Sequence, residues 1–398
     1  MQKRYTSIYI HPEDKTIHYY TMCEGKKNDI IHDIMSYHTN NFDAEFYASF
    51  TKMLKYLSRK HPLASAANTT IVLPDSVVFS DILTLPSMRS LSIQTSVNSV
   101  ISSAYKNRND LSINVYTLQT KPVITSFLTG VRNKILTSVR TACTNSKLLA
   151  KNITFASNAT VNAVSSLLPK LRNSTYVLLD IKDNYSKVVY VYQGAAIGFA
   201  SLPFGYSSIR NDMVVPEDIL FDHSVAALAV KNAHERARTG VIAVEKPVSD
   251  AITVSERSSG DSEEEEFEVI DRETLRKLVE ESKRMQEKTP RKLPKYMLRP
   301  KPDTEEGFIC ENFRVFAKWA LCYIAENETY TSLGAPEAIY VNMPSRFSAA
   351  VDKINEEANE NGIKFEVLGL AKEPREIKRN LELYGGMFAG KMSSSNNF

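Results

Sequence analysis

Cysteine and histidine, the residue types that most often carry metal or redox chemistry, are spread thinly along this chain of 398 residues. The four cysteines are Cys23, Cys143, Cys310 and Cys322. They form no CxxC pair, and none has a metal-type spacing to one of the seven histidines. Reduced, structural cysteines are therefore the expected state, and the sequence predicts no metal site.

The number of glycines also bears on function, because loops that bind phosphates depend on glycine. Backbone N–H groups surround a phosphate only where no side chain keeps the backbone at a distance. The chain has only 14 glycines in its 398 residues. This low number argues against a protein built around glycine-rich phosphate loops.

Charge is nearly balanced over the whole chain but not within each segment. Lys and Arg number 49 against 46 Asp and Glu, a net charge of +3 that excludes a histone-like or wholly acidic protein. Residues 258–266 are serine-rich and acidic, whereas residues 288–301 are basic and spaced by prolines. Two interpretations of residues 245–306 stay open: a solvated, partly disordered insertion, or a docking segment for a partner or an anionic surface.

The elements that would position functional residues alternate between strands and helices in the first half of the chain. Apolar, β-rich runs predict strands over residues 5–10, 16–22, 70–73, 77–85, 113–118, 123–128 and 152–155. Helices are predicted over residues 86–104, 131–144 and 159–168. An apolar stripe that begins Phe42, Phe46, Phe50 and ends at Leu57 predicts an amphipathic helix whose role is core packing.

The second half begins with the clearest β signal, a three-strand meander over residues 176–181, 187–192 and 196–202. Later elements are predicted as helices at 225–238, 271–288, 313–323, 347–358 and 381–389, and strands at 338–341 and 364–368. The alternation predicts an α/β or α+β protein, and the length suggests about two to four domains. No apolar run approaches the ~18–20 residues that span a bilayer, and no signal peptide is evident, so a cytoplasmic protein without a transmembrane segment is expected.

Three segments, residues 70–86, 151–163 and 176–205, resemble the PilM- and FtsA-like branch of the actin-like ATPase superfamily. In residues 70–86 a strand ends in Pro-Asp and a hairpin returns to Leu-Pro before a helix. Residues 151–163 are similar to the family's strand before an Ala-rich helix. Residues 176–205, with Asp180 in the first strand and a turn at Gly194, are similar to the family's most specific motif. Their order spans nearly the whole chain.

The resemblance implies an α/β, actin-like (ribonuclease H-like) two-domain fold with a small inserted α+β subdomain. Residues 1–85 and 151–175 would form the first actin-like domain, and residues 86–150 the inserted subdomain. Residues 176–398 would form the second actin-like domain, interrupted by the charged insertion at 245–306.

The family binds phosphates with two hairpins that each begin Asp-x-Gly, and a third, glycine-rich turn packs on the nucleoside. In the first hairpin of this chain, Tyr9 and His11 stand at the Asp and Gly positions. In the second, Asp180 is kept but Lys182 replaces glycine, and Met343-Pro344 fills the third turn. Because bulk stands where bare backbone is needed, the resemblance implies a pseudo-ATPase without a required ATP or Mg²⁺ cofactor.

Lys15, Asp180 and Lys182 are the candidate cofactor-binding residues, as the remains of a nucleotide site. Weak nucleotide binding through these side chains is one interpretation. Ordinary turn composition, with Asp180 capping its turn, is the other. No catalytic residue is predicted.

The resemblance implies a cytoplasmic scaffold or adaptor that docks a short cytoplasmic segment of a membrane-anchored protein in a type IV pilus, secretion or envelope-assembly machine. The exposed faces of residues 77–85 and 87–106 are the first place to look for that contact. Recruitment to the inner face of the membrane and self-association are further expectations, and no nucleic-acid partner is predicted.

Two alternatives stay open. An FtsA-like cell-division protein would carry a C-terminal amphipathic membrane helix, whereas residues 391–398 show no such pattern, although the basic residues 288–301 offer another lipid contact. An active, nucleotide-binding actin-like ATPase is the third hypothesis, and the missing glycines count against it.

Overall fold

The computed structural model describes residues 4–12, 14–39, 42–61, 68–86, 90–104, 108–119, 123–202, 205–206, 305–327, 330, 333–357 and 363–389. All of them belong to a single unit of the chain. The predicted helices at 225–238 and 271–288, and residues 245–304 of the predicted insertion, lie outside the described residues.

The strands of the described residues are β1 (Arg4–His11), β2 (Thr16–Cys23), β3 (Ile31–Ser36), β4 (Asn68–Leu73), β5 (Val78–Pro86), β6 (Leu111–Gln119), β7 (Val123–Arg132), β8 (Ala150–Phe155), β9 (Tyr176–Ile181), β10 (Ser186–Tyr192), β11 (Ala195–Leu202), β12 (Ala338–Asn342) and β13 (Lys364–Val367). The helices are α1 (Ala44–Lys60), α2 (Ser90–Ala104), α3 (Asn133–Asn145), α4 (Ala156–Leu167), α5 (Glu305–Glu326), α6 (Ser348–Glu357), α7 (Arg375–Arg379) and α8 (Leu381–Gly386). The strand β3 and the short helix α7 are absent from the sequence-based prediction.

Two five-stranded sheets share one topology. The first sheet has the order β3-β2-β1-β4-β8 and the second sheet has the order β11-β10-β9-β12-β13. In each, three consecutive strands form an antiparallel meander. The first of them pairs in parallel with the next strand of the sheet, and that strand pairs in parallel with the last one. This repeated connectivity gives two domains of related fold, and the predicted α/β, actin-like two-domain architecture is confirmed.

The antiparallel sheet β5-β7-β6 lies between β4 and β8 in the sequence. Helix α2 covers it, because Val97 and Ile101, one turn apart, bury their side chains against Leu128 of β7. Strand β5 pairs along its whole length with β7, so residues 78–85, which the prediction assigns to the first domain, share a sheet with β6 and β7 of the predicted subdomain at 86–150. The domain boundaries themselves stay predictions.

Helix α1 follows from its apolar stripe. Phe46, Phe50, Leu54 and Leu57 are all buried on one face, as the spacing predicts. The side chain of Asp43 caps the helix by accepting a hydrogen bond from the backbone N–H of Phe46 at 2.6 Å.

Helices α4 and α8 pack closely against each other and contribute to a core that includes residues of both five-stranded sheets. A Cβ atom at Gly385 of α8 would collide with the carbonyl oxygen of Ala159 on α4. One at Gly386 would collide with Ser7 of β1. The two helices therefore approach to a distance that only glycine permits, and they hold the carboxyl ends of the neighbouring strands in fixed positions.

Candidate functional site

Charged residues meet where strands of both sheets end. Asp75 follows β4 after Pro74, and Lys182 follows β9 directly. Asp180 of β9 lies in register with Asn342 at the end of the parallel strand β12. Because the carboxyl ends of parallel strands share one edge of a sheet, these side chains converge on a single region, as ligand-binding residues do in open α/β sheets.

Five charged side chains make up this region, which we call the buried ion cluster: Asp75, Asp180, Lys182, Lys187 and Glu382. The Nζ atom of Lys182 lies 3.0 Å from Oδ2 of Asp180 and 3.2 Å from Oε2 of Glu382. The Nζ atom of Lys187 lies 3.3 Å from Oε1 of Glu382 and 3.5 Å from Oδ2 of Asp75. Glu382 therefore bridges two ammonium groups.

Neutral groups supply further hydrogen bonds to the cluster. Asn342 donates its Nδ2 to Oδ1 of Asp180 at 2.7 Å, and Nζ of Lys182 donates to the carbonyl oxygen of Arg379 at 2.9 Å. Ser157 donates its backbone N–H and its hydroxyl to the Asp75 carboxylate, at 2.9 and 2.8 Å. These bonds are needed because a buried charge is costly unless it is both paired and hydrogen-bonded.

The protonation of the cluster follows from these contacts. Burial alone would raise the pKa of Glu382, but Lys182 and Lys187 outweigh it and hold this pKa far below its usual range. Burial opposes the charge of Lys187, yet the groups around its ammonium, Tyr9 and Asp75 first, raise its pKa well above the ordinary value. Burial raises the pKa of Asp180 despite Lys182 beside it. With all five groups ionised, three carboxylates and two ammonium groups give a formal charge of −1.

The two hairpin turns of the sheets contact each other across the cluster. The ring of His11, at the end of β1, packs edge-on against Tyr185 of the β9–β10 turn, with 5.2 Å between ring centroids. Asn184 donates its Nδ2 to Oδ1 of Asp14 at 3.3 Å. The Nζ atom of Lys187 lies between aromatic rings, 5.8 Å from the centroid of Tyr9 and 5.6 Å from that of Tyr185. Side chains thus occupy the space between the two turns.

The three predicted site residues have different surroundings. Asp180 and Lys182 are ion-paired within the buried ion cluster. Lys15 is exposed on the β1–β2 turn, where its φ of +50° is in the left-handed region and its carbonyl accepts a hydrogen bond from Tyr37 N at 2.9 Å. Within the described residues no ion pair joins Lys15 to the other two. Their assignment as a vestigial nucleotide site stays a prediction.

The third turn is filled as the sequence predicts. Met343 follows β12 and packs against the core of the second sheet, and Pro344 leads directly into a single 3₁₀ turn, Ser345–Phe347. Proline has no N–H to offer a phosphate.

Sequence reasoning missed Lys187, Glu382 and the role of Asp75. Lys187 lies in β10, where all seven residues are buried, and it pairs across the hairpin with Asp180. Glu382 is likewise a single charge in a buried helix, α8. The detectable signal was a charged residue within an apolar run, because such a residue is almost never buried without a partner.

A second region of the described residues differs in its chemistry from the buried ion cluster. A groove of about 620 Å³ lies between the β2–β3 turn and the residues before α7, and is lined by Tyr5, Lys27, Glu373 and Phe388 among others. Its two central charges, Lys27 and Glu373, neutralise each other at 2.8 Å. Among the described residues, no group of three or more His, Cys, Asp or Glu is arranged to hold a metal ion. None of the described helices combines the length and apolar character needed to cross a bilayer.

Comparison with known proteins gives no match by sequence: no family model and no curated protein matches the chain. Solved structures do match. A chain of a PilM–PilN type IV pilus biogenesis complex superposes with a TM-score of 0.52 at 10% identity, covering 98% of this chain and 99% of that one. The cytoplasmic domain of EpsL, an inner membrane component of the type II secretion system of Vibrio cholerae, has a TM-score of 0.36 at 10% identity over 54% of this chain and 78% of its own. An activator of 2-hydroxyisocaproyl-CoA dehydratase from Clostridium difficile has a TM-score of 0.34 at 11% identity over 98% of this chain and 95% of its own.

The similarity to the chain of the PilM–PilN complex extends over nearly the full length of both chains. It agrees with the repeated topology of the two five-stranded sheets, and the resemblance drawn from the sequence is confirmed at the level of the fold. The protein has the two-domain, actin-like fold of that pilus protein, with a buried ion cluster where the strands of its two sheets end.

Proposed function

We propose that the protein is a nucleotide-independent adaptor with an actin-like fold, a pseudo-ATPase. It would work in the cytoplasm, at the inner face of a membrane, as part of a type IV pilus, secretion or envelope-assembly machine. The observation that carries the proposal is the buried ion cluster between the two hairpin turns.

The cluster supports a pseudo-ATPase because paired side chains occupy the region between the two hairpin turns, where the family resemblance expects phosphates. Lys187 and Glu382 lie at the position between the turns, and the contact of His11 with Tyr185 closes the outer side. Binding Mg²⁺-ATP there would require separating paired, buried charges. That separation leaves uncompensated charges, at a cost of about 3–5 kcal/mol per broken pair.

The adaptor part of the proposal rests on the fold. The matching chain comes from a complex named for PilM and PilN, a pair that acts in pilus biogenesis. By analogy, this chain would dock a short cytoplasmic segment of a membrane-anchored assembly protein. Strand β5 and helix α2 contain residues 78–85 and 90–104 of the two segments, 77–85 and 87–106, in which the sequence analysis expects the contact.

Calorimetry with Mg²⁺-ATP on the full chain tests the first part. We expect no binding heat at micromolar to low millimolar nucleotide, since the site is already filled by side chains. ADP without metal serves as the matched titration for a metal-independent mode. Micromolar affinity for either nucleotide would overturn the pseudo-ATPase proposal.

A binding assay with a peptide tests the second part. The probe is the cytoplasmic tail of a single-pass membrane protein encoded beside this chain, labelled and followed by fluorescence anisotropy. We expect saturable binding that weakens when an exposed residue of β5, such as Asp81, is changed to Lys. Absence of binding by the tail, or binding unaffected by D81K, would contradict the docking surface.

A further inference from the structure

Three histidine side chains on neighbouring strands form a row, which we call the histidine row: His11 on β1, His18 on β2 and His32 on β3. The ring centroids of His11 and His18 are 5.6 Å apart, and those of His18 and His32 are 5.3 Å apart. The pairing of the strands explains the alignment. His18 lies opposite Tyr9, two residues before His11, and His32 lies opposite Tyr20, two residues after His18. All three therefore project from one face of the first sheet.

Each end of the row contacts an element from the second half of the chain. His11 packs against Tyr185 of the β9–β10 turn, at 5.2 Å between centroids. Nδ1 of His32 lies 3.2 Å from Oε2 of Glu376 on α7. Tyr185 in turn donates its hydroxyl to Glu382 of the buried ion cluster, at 3.4 Å. The row thus joins the first sheet to the cluster at one end and to α7 at the other.

In the middle of the row, only one hydrogen atom fits between the facing nitrogens of His18 and His32. Nδ1 of His18 lies 3.2 Å from Nε2 of His32, so one of these nitrogens must donate and the other must accept. Nε2 of His18 is bonded to Thr16 Oγ1 at 3.0 Å, and Nδ1 of His32 faces a carboxylate. If both rings were doubly protonated, two N–H groups would point at each other across that distance. His18 and His32 cannot both become cations without moving apart.

The charged groups around the row do not relieve this conflict. Asp14 of the β1–β2 turn and Glu382 of α8 favour a charged His18, and Glu376 of α7 faces His32. Tyr9, Tyr20 and Tyr185 supply only aromatic contacts to the rings. Burial is the largest effect that opposes a charge on His18, and repulsion from His11 and from His32 adds to it. Together these effects lower the pKa of His18 to about 4.

We propose that the histidine row is a proton-responsive switch: a second charge on the His18–His32 pair separates the first sheet from α7 and from the β9–β10 turn. As the pH falls, the closed arrangement keeps the His18 ring neutral, because its contact with His32 leaves no room for a second charged ring. Opening relieves the repulsion and exposes the edge of the buried ion cluster. The inference concerns how the two halves of the fold meet, and it does not depend on the adaptor role.

Hydrogen exchange of the full chain at pH 7.5 and pH 5.0, corrected for the intrinsic exchange rate, tests the switch. In the wild type we expect protection of β3 and of α7–α8 to fall at least tenfold at pH 5.0, while α1 stays protected. His18→Gln keeps a hydrogen-bonding side chain but does not titrate, so it should remove most of that fall. His38→Gln is the matched control, because His38 is exposed outside the row and should leave the wild-type response unchanged.

Equal protection of β3 and α7–α8 at both pH values would overturn the proposal, and so would a full response in His18→Gln. If that variant does not fold, NMR of the histidine rings in the wild type gives an independent answer. Protonation of the His18 ring and loss of protection in α7–α8 should share one midpoint. Separate midpoints, with the ring charged while the segment stays protected, would contradict the switch.

Discussion

The Nζ atom of Lys187 on β10 lies 3.3 Å from Oε1 of Glu382 on α8, and this ion pair connects the second sheet to a helix that also packs against the first. The same ammonium reaches Asp75, which follows β4, at 3.5 Å. One lysine therefore joins three separate parts of the fold.

Replacement of Lys187 by Met should show how strongly the fold depends on that ammonium. The change leaves Asp75 without a cation and Glu382 with only Lys182, in a region closed to water. Removing one partner of a buried pair costs about 3–5 kcal/mol. We expect a loss of that size in the free energy of unfolding, measured by urea denaturation.

Lys27→Met is the control for this experiment. Its ammonium also pairs with a carboxylate, Glu373 at 2.8 Å, but the Lys27 side chain is 41% exposed. A solvent-exposed pair contributes about 0–1 kcal/mol. Similar losses in the two variants would show that the buried ion cluster has no special structural role.

The close approach of α4 and α8 gives the second prediction. In Gly385→Ala the added methyl group collides with the backbone of Ala159, and backbone cannot move aside as a flexible side chain does. Overpacking of this kind costs about 1–3 kcal/mol, so the thermal unfolding midpoint should fall. Gly369→Ala is the control, since its new methyl would meet only Leu168 at 4.0 Å. An unchanged midpoint in Gly385→Ala would show that α4 and α8 can move apart without a loss of stability.

How far the sequence predicts this fold depends on whether the signal is local. The stripe of α1 and the meander β9–β11 are local patterns, and both are confirmed. Strand β3 was missed because its residues, Ile31–Ser36, show no clean alternation and are mostly exposed at a sheet edge. Its identity depends on pairing with β2, which single-sequence patterns do not reveal.

The candidate site was predictable only in part, for a similar reason. Asp180 and Lys182 lie in the hairpin that the family resemblance predicts to bind phosphates. Glu382 lies 200 residues beyond Lys182 in the chain, and no spacing rule connects the two. A single charge in an apolar run predicts that a partner exists, but only the fold identifies it.

The third prediction concerns the thiols. Burial raises the pKa of the Cys143 thiol to about 12, and Cys310 and Cys322 are also buried, whereas Cys23 is partly exposed. Because the thiolate is the reactive form, a thiol reagent at pH 8 should modify Cys23 first. The other three should react only as the chain unfolds. Reaction with Ellman's reagent, in native buffer and in urea, measures both phases. Rapid reaction of Cys143 in native buffer would contradict the buried position.

The last prediction is the pH dependence of stability, and His18 determines its sign. Burial, with the repulsion from His11 and His32, lowers the pKa of His18 from 6.5 to about 4 in the folded protein. Between these values the unfolded chain binds a proton that the folded protein does not. As far as His18 determines it, the free energy of unfolding has its full value above about pH 7 and decreases as the pH drops through 6.5 towards 4.

Comparison of the wild type with histidine variants isolates the size of this effect, because the raised pKa of Asp180 acts equally in all of them. From pH 7.5 to pH 5.0 the His18 shift corresponds to a loss of about 2 kcal/mol, as the difference in proton binding between the two states requires. Urea denaturation of His18→Gln should lack most of this loss, while His38→Gln should keep it. Glu382 acts only at lower pH, because its folded pKa is depressed and its stabilising effect is lost below the ordinary range of a carboxyl. Equal changes in stability between pH 7.5 and 5.0 in the wild type and in His18→Gln would show that the folded protein accommodates the charged His18 ring, and the proton limit of the His18–His32 pair would then be wrong.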